Sequence, residues 1–205
     1  MRGPVTIAVT GPFASGKSTL VRLLGELPNT ETSSADEIVH ALLDGDHQTI
    51  SRVAERFGDD VRGSDGIDRK ALGREVFGDA EALRDLEEIL HPLVRDETDR
   101  RIETSEAGIF VVEIPLLFET GRGEDFDYTV AVTVPEERRR TWAEKRGVDD
   151  AALEAIESRQ YTGEEKAGRA DLIVQNDGDL DRLREQAEGV GRKVLQEEGS
   201  HGHLR

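Results

Sequence analysis

The sequence contains no cysteine, so disulfide bonds and zinc sites built on thiolates are excluded. A chain without cysteine suits the reducing cytosol. A long apolar run at the start is also missing: the first run covers only residues 5–9 and leads directly into a glycine turn. Signal peptides and membrane spans need longer apolar segments. We therefore expect a cytoplasmic protein with no membrane partner.

Positive charge is scarce. Lys and Arg number 27 against 44 Asp and Glu, which gives a formal net charge of −17 at pH 7. Such a field repels polyanions, so we expect no nucleic-acid partner, and a phosphate ligand would have to be bound by local positive groups. The excess of acid, with Arg far more frequent than Lys, suits a high-salt or high-GC source organism, and an acidic surface that simply aids solubility explains the same charge equally well.

Strand and helix signals alternate along the 205 residues, a length that suits one domain with an inserted helical subdomain. Near-continuous apolar runs predict buried strands at residues 5–10, 109–114, 128–134 and 171–175. Runs that are apolar on both faces indicate a mainly parallel sheet flanked by helices, the doubly wound α/β class. Residues 35–104 are poor in strand signals and are predicted to be helical.

Residues 10–19 read TGPFASGKST, with four residues between Gly11 and Gly16. A backbone that wraps around a phosphate with its N–H groups pointing inward needs glycine at the tightest points. The spacing predicts that Lys17 reaches the β- and γ-phosphates and that the Ser18 hydroxyl ligates Mg²⁺. The predicted nucleotide contacts are Gly11, Pro12, Phe13, Ala14, Ser15, Gly16, Lys17, Ser18 and Thr19. A plain glycine turn would leave Lys17 without a role.

The chain has no Asn-Lys-x-Asp tetrad of the kind that reads guanine, which leaves ATP-using kinases and ATPases. Several blocks that follow the phosphate motif resemble those of the dephospho-coenzyme A kinase family, in the family's order. They are SADEIVH (34–40), FG (57–58), GIDRKALGREVF (66–77), LEEILHPLV (86–94), EIPLLFETG (113–121), FDYTVAV (126–132) and KAGRADLIVQNDG (166–178). The His-Pro-Leu and Pro-Leu-Leu-Phe-Glu sequences are the distinctive ones.

The resemblance implies a P-loop NTPase-type kinase that uses ATP and Mg²⁺ to phosphorylate the ribose 3′-hydroxyl of dephospho-CoA, a small-molecule substrate. We predict one kinase domain over residues 1–197, and the composition of the last residues, 198–205, predicts a disordered tail. Within that domain we expect a core at about 1–35 and 105–197, a helical acceptor lobe at about 36–104 and a lid at about 138–168. A kinase for another acceptor, such as a nucleoside monophosphate, and a catalytically silent nucleotide-binding module are the alternatives.

Asp36 is, by the resemblance, the carboxylate that accepts the proton of the acceptor hydroxyl. It follows a predicted short strand at residues 30–35, and a helix N-cap is its alternative role. The family commonly has a second Asp two positions earlier, where this chain has Ser34.

The resemblance places further acceptor contacts in the helical region: His40, Arg69, Arg74 and His91. His40 lies one helical turn after Asp36, and an exposed helix histidine is its plain alternative. The guanidinium groups of Arg69 and Arg74 suit the substrate's pyrophosphate, although surface arginines are common. His91 precedes Pro92, where it either caps the end of a helix or contacts the substrate.

Glu113 ends an apolar run, a position from which an acid can hold Mg²⁺ directly or through water. Leu116, Leu117 and Phe118 would then line the acceptor groove, and Glu119 would touch polar parts of the substrate. Core packing is the competing explanation for the three apolar side chains.

Residues 136–166 are dense in charge, which usually means solvated helices. A kinase lid that neutralises the moving phosphoryl group needs arginine, and Arg140, Arg146 and Arg159 are the candidates, with Arg140 taken as catalytic. The family's usual arginine in this block falls on Ile156.

Asn176 and Gly178 follow the last predicted strand, where ligands of open α/β sheets gather. By the resemblance this loop passes the adenine, and a plain Asn-Asp-Gly turn is the alternative. The phosphate motif departs from the family, which has more glycine where this chain has Pro12, Phe13 and Ala14.

Overall fold

The computed structural model of the protein describes residues 3–201, with side chains as far as residue 197. Its strands are β1 (Val5–Thr10), β2 (Thr30–Ser34), β3 (Ile109–Glu113), β4 (Tyr128–Thr133) and β5 (Leu172–Gln175). Its α-helices are α1 (Lys17–Gly25), α2 (Ala35–Gly45), α3 (His47–Phe57), α4 (Arg69–Val76), α5 (Ala80–Thr104), α6 (Glu136–Lys145), α7 (Asp150–Glu157), α8 (Gly163–Ala167) and α9 (Leu180–His201).

The strands form one sheet in the order β2-β3-β1-β4-β5. β1 pairs in parallel with β3 on one side and β4 on the other, and β4 pairs in parallel with β5. The carboxyl ends of these strands therefore lie along one edge, where Val9 is opposite Glu113 and Thr10 is opposite Ala131. The predicted fold class, a doubly wound α/β sheet of the P-loop type, is confirmed.

Threonine and aspartate side chains fix the register of the central strands. Asp127 accepts hydrogen bonds of 2.8 Å from both the backbone N–H and the hydroxyl of Thr6. Asp171 accepts in the same way from Thr129, at 2.7 and 2.6 Å. Each carboxylate precedes a strand and holds the neighbouring one, so the strands cannot slip without leaving these groups unpaired.

The core of the sheet lies between its strands and helices α1 and α9. Ile7, Val9, Val111 and Val130 are almost completely buried, and Leu20 and Leu24 of α1 pack on them together with residues of α9. Because helices cover the central strands, those strands have no polar face, which is why their sequences are nearly continuous apolar runs.

Strand β5 forms one edge of the sheet. The side-chain amide of Gln186, in α9, bonds both backbone groups of Gln175: Oε1 accepts from its N–H at 2.9 Å, and Nε2 donates to its carbonyl at 2.8 Å. These backbone groups are thus satisfied without another strand.

Residues 34–104 form a separate compact unit, and the rest of the described chain forms the other. The helical unit has its own apolar core, built from Leu43, Val53, Val61, Ile67, Leu72 and Leu90. The prediction of one kinase domain with an inserted acceptor lobe remains a prediction. Of the predicted tail, the backbone as far as His201 continues helix α9, and residues 202–205 lie outside the described residues.

Helix α5 is longer than the sequence indicated. The expectation that a helix ends near His91 is wrong, because α5 continues through Pro92 to Thr104. A proline inside a helix leaves the carbonyl four residues earlier without its partner. Pro92 and Glu88 both lie on the exposed side of α5, where water can satisfy that carbonyl. His91 therefore does not cap a helix end.

Candidate active site

The phosphate loop, residues 11–16, joins β1 to α1 and has the backbone conformation that the motif predicts. Gly11 has φ +150° and Gly16 has φ +92°. A Cβ atom on Gly16 would lie 2.2 Å from Nδ2 of Asn176, and one on Gly11 would lie 2.6 Å from the carbonyl oxygen of Val132. Both glycines are required by conformation and by close approach.

Lys17 and Ser15 place polar groups at this loop. Lys17 is the first residue of α1 and only 7% exposed, and its Nζ donates to the carbonyl of Pro12 at 2.9 Å. The Ser15 hydroxyl is buried and has no hydrogen-bond partner among the described residues. A buried hydroxyl without a partner is costly, which is a reason to expect that a polar ligand satisfies it.

Ser18 of α1 and Glu113 at the end of β3, the two predicted metal ligands, are in contact with each other. The Ser18 hydroxyl donates to Oε1 of Glu113 at 3.2 Å, and Glu113 is 7% exposed at the end of β3. No group of three or more His, Asp or Glu side chains that could hold a metal occurs in the part of the chain described. One hydroxyl and one carboxylate fit Mg²⁺, which takes its other ligands from water and phosphate.

The residues that replace glycine in the phosphate loop pack against the predicted lid. Ala14 has φ +58°, a left-handed conformation that costs about 1 kcal/mol in a non-glycine residue. Its methyl group is buried with Ala143 and Leu153, and Phe13 and Trp142 pack around them. The departure from the family pattern thus has an apolar partner, which the sequence alone did not reveal.

Gln160 also connects the predicted lid to the phosphate loop. Its Oε1 accepts a 3.2 Å hydrogen bond from the backbone N–H of Phe13, and the guanidinium of Arg146 lies 5.7 Å from the centre of the Phe13 ring. No pattern in the sequence singled out Gln160 for a contact 147 residues away.

Asn176, which follows β5, is 6% exposed, and its Nδ2 donates to the carbonyl of Ser15 at 2.9 Å. Beside it is an open cavity of about 360 Å³, whose lining includes Gly16, Trp142, Asn176 and Gly178. Arg138 donates to the carbonyl of Gly178 and lies over the Trp142 ring. Asn176 therefore supports the phosphate loop, and its predicted contact with adenine stays a prediction.

The arginines of the predicted lid differ in exposure. Arg140 lies on the exposed face of α6 and pairs with Glu136 at 2.8 Å and with Asp150 at 3.0 Å. Arg139, which the sequence did not single out, is buried between Glu136 and Glu157. Arg146 and Arg159 are exposed. Which of them meets the transferring phosphate stays a prediction.

Residues 116–119, which follow β3 and were predicted to contact the acceptor, are half-buried or completely buried. Leu117 is completely buried, so core packing explains it, while Leu116 and Phe118 are half-buried. Glu119 accepts from Lys166 at 2.8 Å and from the backbone N–H of Tyr161 at 2.7 Å. Burial lowers the pKa of the Lys166 ammonium, and the hydrogen bond and charge of Glu119 oppose that shift.

Five of the predicted site residues belong to the helical unit, where all of them are exposed: Asp36, His40, Arg69, Arg74 and His91. Asp36 is the second residue of α2, in a turn whose N-cap is Ser34. The N-cap alternative for Asp36 is therefore wrong, and an acid in the first turn still favours the helix dipole. Arg69 approaches Asp44 at 4.0 Å.

Within residues 3–201, no helix is both long enough and apolar enough to span a membrane. The sheet order, the glycine-lined turn before α1 and the Ser18–Glu113 pair together define a nucleotide-binding protein of the P-loop kinase class.

Comparison with known proteins identifies the family. The model of the family described as dephospho-CoA kinase matches residues 5–182. A dephospho-CoA kinase of Symbiobacterium thermophilum is 38% identical over 198 residues, which cover 94% of this chain and 82% of that protein. The chain belongs to the dephospho-CoA kinase family, a family of nucleotide-using kinases that act on a small molecule, as the sequence blocks predicted.

Solved structures agree with this assignment. A crystal structure from Thermus thermophilus matches with a TM-score of 0.78 at 32% identity, covering 94% of this chain and 99% of that one. A dephospho-CoA kinase from Campylobacter jejuni matches with a TM-score of 0.65 at 27% identity, covering 92% of this chain and 96% of that one.

Proposed function

We propose that this protein transfers the γ-phosphate of ATP to the 3′-hydroxyl of dephospho-CoA, the last step of coenzyme A biosynthesis. Its family membership supports the choice of acceptor. The observation that carries the chemistry is the formed phosphate loop, with Ser18 bonded to Glu113 beside it.

The phosphate loop and the amino end of α1 bind the triphosphate. Backbone N–H groups of residues 11–16 and the positive end of the helix attract the phosphate oxygens. The Lys17 ammonium, which now donates to Pro12, would exchange that carbonyl for the β- and γ-phosphates. The Ser15 hydroxyl gains a partner in the same step.

Ser18 and Glu113 are the residues that would hold Mg²⁺. When bound, the ion neutralises charge on the β- and γ-phosphates. Glu113 orients the Ser18 hydroxyl, since its carboxylate accepts the hydroxyl hydrogen.

In the transfer itself, the 3′-oxygen bonds to the γ-phosphorus as the bond from that phosphorus to the β–γ bridging oxygen breaks, and ADP leaves. We assign the proton of the attacking hydroxyl to Asp36, because a carboxylate positioned on that hydroxyl aligns the oxygen and takes the proton. An arginine of the predicted lid, Arg140 in the first instance, neutralises the moving group.

The direct test is incubation of the purified protein with ATP, Mg²⁺ and dephospho-CoA, followed by mass analysis of the acceptor. We expect the acceptor to gain one phosphoryl group and to do so faster than nucleoside monophosphates assayed side by side. Faster phosphorylation of a nucleoside monophosphate would contradict the proposed acceptor. ATP binding without transfer to any acceptor would point to a silent nucleotide-binding module.

A further inference from the structure

Lys166 is a completely buried cation, and the proposed transfer gives it no role. Its Nζ donates to the carbonyl of Pro115 at 2.5 Å, contacts the Glu119 carboxylate at 2.8 Å and lies 3.5 Å from the Thr10 hydroxyl. The Thr10 hydroxyl donates to the same Pro115 carbonyl at 3.1 Å.

The helix that carries Lys166 is locally fixed. Thr162 accepts from the N–H of Glu165 at 3.2 Å, and the Glu165 carboxylate accepts from the N–H of Thr162 at 2.8 Å. This reciprocal capping box sets the start of α8 and therefore the direction from which the lysine enters the interior.

The Lys166–Glu119 pair touches three segments that lead to the phosphate site. Thr10 is the residue before Gly11, and Pro115 follows Glu113 by two residues. Glu119 also accepts from the N–H of Tyr161, the residue after Gln160, whose side chain accepts from Phe13 in the phosphate loop. The Lys166 ammonium and the Glu119 carboxylate thus contact the residue before the phosphate loop and the turn that follows Glu113. Through Tyr161 they also hold the segment of the predicted lid in which Gln160 contacts the phosphate loop.

A pair of this kind contributes little net stability. Removing two charges from water costs about as much as their attraction returns, so a well-packed apolar pair would serve the fold equally well. In addition, Oε2 of Glu119 is buried without a hydrogen-bond partner among the described residues. A position that tolerates these costs needs an explanation other than stability.

We propose that Lys166 is a positioning residue for phosphoryl transfer: with Glu119 as its counter-ion, it aligns the phosphate loop with the Glu113 side of the site and with Gln160. This inference rests on the proposed kinase activity for its effect on turnover. Its effect on nucleotide binding can be measured without turnover, so the two can fail separately.

The test compares Lys166→Met, Glu119→Gln and the double variant Lys166→Met/Glu119→Gln, with the exposed Lys193→Met as the control. The readouts are the thermal midpoint, the Kd of a non-hydrolysable ATP analogue with Mg²⁺, kcat, and KM for dephospho-CoA. Lys166→Met leaves a buried carboxylate without its cation, and we expect its midpoint to fall by about 10 °C.

The double variant separates positioning from stability. We expect its midpoint to return to within a few degrees of the wild type, because no buried charge is left unpaired. The analogue Kd should stay raised by about tenfold and kcat lowered by about tenfold or more, since small displacements of reacting groups are costly. Recovery of Kd and kcat together with the midpoint would overturn the inference and leave Lys166 a structural residue.

If the methionine variants do not fold, a comparison of Glu119→Ala with Glu119→Gln still tests the inference. The glutamine retains an acceptor for Lys166 and for Tyr161, so we expect an analogue Kd within about threefold of wild type. The alanine removes that acceptor, while the lysine can lose its proton, so the protein should fold but bind the analogue about tenfold more weakly. A wild-type Kd in Glu119→Ala, or a raised KM for dephospho-CoA alone, would contradict the inference.

Discussion

The phosphate-loop region and the helical unit present their predicted site residues in opposite ways. Around the loop, Lys17, Glu113 and Asn176 are buried, and each has hydrogen-bond or charge partners. In the helical unit, Asp36 and His40 are exposed. The fold therefore holds these three residues in place around the loop, whereas the predicted catalytic and acceptor-binding side chains of the helical unit lie on the surface.

This contrast has an energetic meaning. Preorganised dipoles and charges need no rearrangement during the reaction, so they stabilise developing charge efficiently. Exposed side chains lose conformational freedom when a ligand immobilises them, which weakens binding. We expect ATP binding to be sensitive to single substitutions, and acceptor binding to be spread over several weak contacts.

Lys17→Ala tests the preorganised side and should have the largest effect. Removing the ammonium leaves the phosphate loop without its own cation, so ATP-dependent phosphorylation should be lost and ATP binding severely weakened. The measurements are initial rates and calorimetric titration with ATP. The exposed Lys193→Ala serves as the control, and a Lys17→Ala enzyme with near-normal activity would contradict the nucleotide site.

Asp36→Asn tests whether the exposed side carries the chemistry. We expect kcat to fall between about a hundredfold and ten-thousandfold, the usual contribution of general base catalysis, with ATP affinity little changed. Glu37→Gln, the next acid in the same helical turn, is the matched control. Near-normal turnover in Asp36→Asn would show that the proton acceptor is another group.

Glu113→Gln sharpens the comparison at the metal site. The amide keeps the size of the side chain but loses its charge, so the Mg²⁺ concentration for half-maximal activity should rise by about tenfold to a hundredfold. Excess Mg²⁺ should restore part of the rate. Glu106→Gln, an exposed acid just before β3, should leave the Mg²⁺ requirement as it is, and an unchanged requirement in Glu113→Gln would exclude the metal role.

Glu97 gives the smallest effect, a pH dependence of stability in the helical unit. Arg100 donates two hydrogen bonds to the Glu97 carboxylate, at 2.7 and 2.8 Å, and Arg101 donates a third. These bonds lower the pKa of Glu97 from 4.5 to about 2. Since the folded pKa is depressed, the pair stabilises the protein above pH 4.5, and this contribution disappears as the pH falls towards 2.

The free energy of unfolding of Glu97→Gln should therefore be about 0.5 kcal/mol lower than that of the wild type at pH 7 and equal to it near pH 2. The expected difference is small because ion pairs on exposed helix surfaces are screened by water. Denaturant titrations across this pH range measure the difference, with Glu103→Gln as the control. An equal loss at both pH values would mean that packing, not charge, explains the effect of the substitution.

The sheet could be predicted from sequence because its signals are local. The runs at residues 5–10 and 109–114 coincide with β1 and β3 to within one residue, since apolar residues on both strand faces have no other stable environment. The phosphate loop could also be predicted from the sequence, because the spacing of Gly11 and Gly16 reflects positive φ angles that glycine adopts readily.

The contacts that support the site could not be predicted in this way. Asn176 and Ser15 are 161 residues apart, and Lys166 and Thr10 are 156 apart, so only the folded chain brings them together. The buried Arg139 was missed for another reason. A run of charged residues is normally exposed, and one of the two acidic partners of Arg139, Glu157, lies in a different helix from Glu136 and Arg139 itself. Helix α5 continues through Pro92, which lies on the solvent-exposed side of the helix. The sequence pattern does not show that this side is exposed.

The amide of Gln186 has a consequence for crowded solutions. The outer margin of a sheet is where a foreign strand can add itself and begin aggregation. Here an incoming chain would first have to break two hydrogen bonds to Gln175. A single glutamine thereby discourages growth of the sheet beyond its last strand at that residue.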